Sequence, residues 1–317
     1  INSLAISKTA FKGPELGPLG IGYGSTDATS TAILESGAIL TAGQLFNLTA
    51  DVQNTLDIDM QLSSGLLVGK AIGHLQQFGL SSTGADLLSK GVLLAKLPEL
   101  NVSYGHASSD SQAAIQSGAQ VTAGTAFVTA NNTNDFSVRA GTKILKPEVN
   151  LGDGVSIAVS DVSSRSLAQV DGSLTTGANA TVNAASVNTR HLTSAVAKIT
   201  DLPTGLDTLN SVSSKAGAQV ALSGVNSLVG SVDTSKFGLA AGVAIAVGNN
   251  EAEAQLGQPT ATDFTQAARV IVGGNLTVNA TAQDGYSSSA IGTQSGQNQI
   301  SVGGAVNVGV YANDARA

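Results

Sequence analysis

Two pairs of carboxylates at alternate positions are the first places where this sequence could do chemistry. Asp57-Ile58-Asp59 and Glu251-Ala252-Glu253 put both acids on one face of an extended strand, about 6.8 Å apart along it. That spacing suits a calcium ligand pair or acid–base work on a glycosidic bond. A solvated strand edge that keeps the surface soluble explains the pairs more simply. No Gly/Asp-rich calcium nonapeptide accompanies them. The three histidines, His74, His106 and His191, are scattered along the chain, and a metal site built from them would need long-range convergence that no local motif signals. With no Cys, disulfide frameworks, zinc ribbons and thiol nucleophiles are excluded.

The glycine motifs are equally bland. Gly20-Ile21-Gly22-Tyr23-Gly24 lacks the helix that a dinucleotide loop must open, and its Tyr-Gly step recurs at Tyr104-Gly105, so a strand or turn is the better reading. Gly65 to Lys70 is one residue short of a phosphate loop and runs into Ala71. No G-x-S-x-G elbow occurs. Six N-x-S/T sequons, at Asn47, Asn101, Asn131, Asn179, Asn275 and Asn279, arise by chance in a chain so rich in Asn and Thr. The expectation is therefore no catalytic residue, no cofactor and no metal.

Composition narrows the class. The 317 residues carry 12% charged and 3% aromatic side chains, 37 Gly, six Pro and a net charge of -7. Charged residues are about half as frequent as in an ordinary soluble domain. An acidic chain without a basic stripe argues against nucleic acid, and 42% apolar residues argue against disorder. The longest uncharged apolar stretch, Gly238 to Gly248, is far short of the roughly 20 residues a spanning helix needs. The chain opens on Ile1 with no signal peptide, which reads as a piece of something longer.

A repeat is the strongest signal. Residues 21–43 and 102–124 match without a gap at ten of 23 positions, 81 residues apart, including a shared Ser-Gly-Ala-x-x-Thr-Ala-Gly block. Weaker copies begin at Val155, Gly242 and Gly304. Each of the first four blocks is followed by a second alternating run: Leu45–Ala50, Ala126–Ala130, Ala180–Ala184 and Asn275–Ala280. Period-2 alternation of β-branched with small residues specifies strands that have one larger and one smaller face. Gly24, Gly37, Gly43, Gly105, Gly118, Gly124, Gly172 and Gly177 are the repeat- and turn-defining positions. The six prolines fall between the alternating runs, where no ladder N–H is lost.

Short strands in a sequence repeat predict an all-β fold, a right-handed parallel β-helix (β-solenoid) whose coils bury their inner faces by stacking. An outer-membrane barrel would need aromatic girdles that 3% aromatics cannot supply. Allowing about 22 residues per coil gives on the order of ten coils and a rod of about 50 Å. Two stretches break the strand pattern with apolar residues at helical spacing, Leu87, Leu88 and Leu94 in one, Leu206, Leu209 and Val212 in the other. Both contain a Thr-x-x-Asp helix-start signal, at Thr83 and Thr204. The expected organisation is solenoid coils over 1–59, 99–190 and 237–317, with helical inserts at 60–98 and 191–236.

The blocks GANATVNA, GGNLTVNATA and GGAVNVGVYANDARA resemble the repeat regions of large secreted bacterial adhesins, of the filamentous-haemagglutinin-like and leukotoxin-type filamentous groups. The resemblance covers most of the chain outside the two inserts. It implies a non-enzymatic structural or adhesive rod segment, extracellular or at the cell surface, with a cell-surface or glycan target. The partners expected are further repeats of the same chain or a copy docked end to end, with no nucleic acid and no transmembrane segment. The alternatives are a self-assembling fibre or sheath subunit, and a β-helical polysaccharide-degrading enzyme, for which scattered aromatics supply few sugar platforms.

Overall fold

Alternation of small and branched residues leaves the backbone extended for long distances, and the strands are correspondingly long. A computed structural model describes residues 1–12, 19–63, 99–143, 154–198, 237–257, 268–293 and 300–317. The strands are β1 (Asn2–Lys12), β2 (Leu19–Leu34), β3 (Ile39–Ser63), β4 (Glu99–Ile115), β5 (Gln120–Lys143) and β6 (Gly154–Val170). They continue with β7 (Ser173–Thr176), β8 (Ala180–Lys198), β9 (Phe237–Leu256), β10 (Arg269–Val272), β11 (Leu276–Thr293) and β12 (Ile300–Arg316).

Among the described residues all pairing is parallel and falls into two sheets. One runs β2-β4-β6-β9-β12. In the other, β1 pairs with β3 and β3 with β5; β5 then pairs with both β7 and β8, which pair in turn with β10 and β11. The chain thus alternates between facing sheets, and each sheet is five levels deep.

The two strong copies lie directly on one another, whereas the weaker one read from Val155 is two residues out of step at its start, since Val102 pairs with Ile157. Ile21 pairs with Val102, Tyr23 with Tyr104, Ser30 with Ser111 and Ala32 with Ala113, and Thr41 pairs with Thr122. The second runs form vertical columns: Leu48, Val128, Val182 and Val278 in one, Ala50, Ala130, Ala184 and Ala280 in the next. The first three members of each column are wholly buried. Ala38 and Ala119 both belong to this inner packing, Ala119 fully buried and Ala38 partly.

Two expectations are corrected. Leu19 pairs with Leu100, Leu100 with Val155, Val155 with Ala241 and Ala241 with Gly304, advances of 81, 55, 86 and 63 residues rather than about 22. A five-level stack at about 4.8 Å spans only about 19 Å between its outer strands. The reason is that nine of the twelve strands run 16 to 25 residues, where a short coil would use only a few. The second correction concerns only the bounds of the expected helical inserts. No helix occurs among the described residues, and residues 60–63 and 191–198 are strand. Residues 64–98 and 199–236 lie outside the described residues.

The interior is asymmetric. The β1-β3-β5 sheet projects Leu56, Ile58, Met60, Phe136 and Val138 inward, all nearly or fully buried. The facing sheet answers with Gly24, Gly105, Ala158 and Ala244. A side chain on Gly105 would start 2.4 Å from Val138 Cγ2, so large residues on one sheet dictate small ones on the other. Close approach also lets side chains bridge the sheets: Asn101 Nδ2 donates to the Met60 and Gly141 carbonyls at 2.7 Å each, and Ser103 Oγ to the Arg139 carbonyl at 2.7 Å. The larger face of β9 points away from the facing sheet into a separate apolar cluster with Val102, Ile157 and Val159, where Val243 is fully buried and Ile245 partly, while Ala244 and Ala246 are its buried inner residues.

Candidate functional site

Between the two apolar parts of the interior lies a polar layer. Asn54, Asn134, Asn188 and Asp284 occupy one column, with Ser7 ahead of them. Asn134 Nδ2 donates to Asn188 Oδ1 at 2.8 Å and to Ser164 Oγ at 3.0 Å. Thr26 Oγ1 donates to Asn54 Oδ1 at 2.8 Å. Asparagine suits this place because its amide donates and accepts at once, so each level can hand a hydrogen bond to the next.

The next column reads Leu56, Phe136, His191 and Tyr286. His191 enters it through a bulge: Asn134 pairs with Asn188 but Asp135 with Arg190, so β8 carries one extra residue here. Strict alternation from Asn188 would have pointed Arg190 inward. The bulge turns Arg190 out to Asp135, at 2.6 Å, and turns the imidazole in.

His191 is completely buried. Its Nε2 lies 2.9 Å from Ser160 Oγ, which lies 2.6 Å from Thr193 Oγ1. On the other side Nδ1 faces Asp284 Oδ2 at 3.9 Å, with the Asp284 side chain also fully buried. The order Ser160–His191–Asp284 has the connectivity of a nucleophile, base and orienting acid. It lacks their working geometry. Asp284 is beyond hydrogen-bond reach of the ring, the Ser160 hydroxyl is shared with Thr193, and Ser160 is 1% exposed. His191 Nδ1, both Asp284 oxygens and Tyr311 Oη have no hydrogen-bond partner among the described residues. Tyr311 packs edge-on to the imidazole at 5.5 Å and stacks on Tyr286 at 4.0 Å.

The acidic pairs of the sequence are held by arginines from adjacent strands. Arg139 lies 3.7 Å from Asp57 and 3.9 Å from Asp59, and Arg165 lies 3.9 Å from Glu251. These are outward ion ladders, not paired acids over a cleft. His106 pairs with Asp161 at 3.3 Å on the outer face, beside the stacked rings of Tyr23 and Tyr104 at 5.7 Å. His74 lies outside the described residues. No cluster of three or more metal-ligating side chains occurs among the described residues, and no helix among them is long and apolar enough to cross a membrane.

No family model, curated protein or solved structure matches this chain. The site therefore has to be understood from its own geometry.

The repeat glycines divide by role. Gly37 and Gly118 have φ of 81° and 84° and close the turns into β3 and β5, a conformation that side chains resist. Gly24 and Gly105 are strand residues that admit Leu56, Ile58 and Val138 from the facing sheet. Gly124 and Gly172 sit against the carbonyls of Gln44 and of Gln116 and Ala119. Gly43 and Gly177 have open space around them. Of the sequons, Asn101 is fully buried, its amide committed to the two carbonyls it bridges.

Tyr311 supplies a pH-dependent signature. Burial, then the Asp284 charge and Tyr286, push its phenol up from 10.0 to about 12. The folded chain therefore keeps this proton longer than the unfolded chain does. The resulting stabilisation is complete below pH 10.0 and is lost as pH rises through about 12. Phenolate absorbance should show a late step at about 12 that Tyr311→Phe removes. Ionisation of all four tyrosines together near their ordinary value would contradict this packing.

Proposed function

We propose that this chain is a segment of a right-handed parallel β-solenoid that serves as a structural and adhesive rod outside a bacterial cell, without catalysis. The observation that supports it is the in-register stacking of the repeat copies, Tyr23 on Tyr104 and Leu48 on Val128. A stack whose columns repeat level after level can be lengthened without redesign, which is what a rod requires. The right hand follows from the strong chiral preference of parallel crossovers. Outward Arg–carboxylate ladders and a cysteine-free, acidic composition suit an extracellular surface. A cell-surface glycan is the target class this reading implies. The test is binding of the purified chain, displayed on beads, to cells and to glycan-coated surfaces. Absence of binding to every surface would remove the adhesive half of the reading. Depolymerisation of acidic or neutral polysaccharides, lost in Glu251→Gln, would overturn the non-catalytic half.

A second reading, self-assembly end to end, is favoured by where apolar groups are exposed. Among the described residues most large exposed apolar side chains sit on the outer levels, Ile6, Ile21 and Tyr23 at one side, Leu276, Val308 and Val310 at the other. In the column order Val306 and Val308 correspond to Ile21 and Tyr23, so a second copy would continue the same columns. Light scattering after size exclusion should show concentration-dependent chains that Val308→Lys with Val310→Lys abolishes. A strictly monomeric wild-type species would defeat this second reading and leave the first standing.

A further inference from the structure

The repeat supplies its own control for the buried polar cluster. In the column Asn54, Asn134, Asn188 and Asp284, three levels carry neutral amides and one carries a carboxylate. In the adjacent column the level before His191 is Phe136 and the one before that Leu56. The departure to Asp and the departure to His meet, 3.9 Å apart and wholly buried. Either group alone, charged, would cost several kcal/mol in such a place. Together they are neutral overall when they share one proton, with the proton on either partner.

We propose that His191 and Asp284 form a one-proton latch that holds the outer β11–β12 level on the stack. With one proton the pair is compensated and the level stays closed. A second proton leaves a buried imidazolium beside a neutral acid, and loss of the proton leaves a buried carboxylate beside a neutral ring. In both cases the uncompensated charge reaches water only if β11 and β12 lift away. Among the described residues the elements packed around the pair offer no other charge to take its place. β5 presents Phe136, β6 Ser160 and β9 Gly248, whose missing Cβ leaves His191 Cε1 and Asp284 Oδ2 each 3.3 Å from that point. β12 presents Tyr311, a phenol that stays neutral up to about 12 and is itself stacked on Tyr286 of β11. Asp135, Arg190 and Asp161 lie on outward faces, engaged with one another or with His106. The latch does not depend on the rod reading; it is a property of the stack whatever the stack serves.

The test is amide hydrogen exchange of the full chain across a pH range on both sides of neutrality, corrected for intrinsic rates, with β5 as internal reference. In the wild type the protection of β11 and β12 relative to β5 should peak at intermediate pH. It should fall by about tenfold or more toward each side. Asp284→Asn, which completes the asparagine column, should keep only the acid limb, because a neutral ring beside an amide no longer opens in alkali. His191→Gln should do the reverse, closed in acid and opening as pH rises. The double variant should show neither limb. A β11–β12 profile that parallels β5 in the wild type, or the same profile in both single variants, overturns the latch.

Discussion

Phe136→Ala is expected to remove about 3–5 kcal/mol of unfolding free energy, because Phe136 is the largest fully buried side chain among the described residues. Phe136 is 0% exposed, belongs to the cluster formed by Leu56, Ile58, Val138 and Ala244, and presents its ring edge-on to His191 at 6.4 Å. The facing sheet contributes mostly small residues at this place, Gly105, Ala107 and Ala158, with Val162 the larger exception, so little side chain can swing in to fill the void. Phe127 on the same strand points the other way and is 39% exposed. Phe127→Ala should change stability by no more than about 0.5 kcal/mol. Urea unfolding of both variants checks the pair. Equal losses would mean that β5 does not present alternate faces to core and solvent as described.

Gly105→Ala is the second large effect. The new Cβ would lie 2.4 Å from Val138 Cγ2 and 3.1 Å from Leu56 Cδ2, and overpacking of that kind costs about 1–3 kcal/mol. The contact is between facing sheets, so the decisive measurement is a double-mutant cycle with Val138→Ala. Removing two methyl groups from β5 makes room for the one added on β4. The double variant should be more stable than the sum of the single losses predicts, by about 0.5–3 kcal/mol. Strict additivity would show that Gly105 and Val138 do not meet. Gly24 stands one level before Gly105, its added Cβ 2.7 Å from Ile58 Cδ1. The shared Tyr-Gly step of the repeat is thereby explained by packing rather than by a turn.

What the sequence by itself determined was the register of the two strong copies; the weaker ones starting at Val155, Gly242 and Gly304 stack one or two residues out of step. Two copies of a 23-residue block placed 81 residues apart fixed which residues stack, and Ile21 on Val102 and Thr41 on Thr122 follow from that spacing. It determined strand type as well, because alternation at period 2 has one extended solution, and it marked Gly37 and Gly118 as turn residues through the shared Ser-Gly-Ala block. Three things were decided only in the tertiary structure. Strand length was one: alternation has no end mark when a run and its neighbour are both extended, so levels of 55 to 86 residues cannot be told from short coils. Direction was another. Alternation separates a larger from a smaller face without saying which is inner, and β9 shares the small-inward choice of β4 and β6, with which it is in register and which face Phe136 and Val138 on β5. The third was the Ser160–His191–Asp284 array, whose members come from β6, β8 and β11. Nothing local marks it, because one extra residue in β8 exchanges Arg190 for His191 on the inner face, and a bulge is a property of two paired strands rather than of either sequence alone.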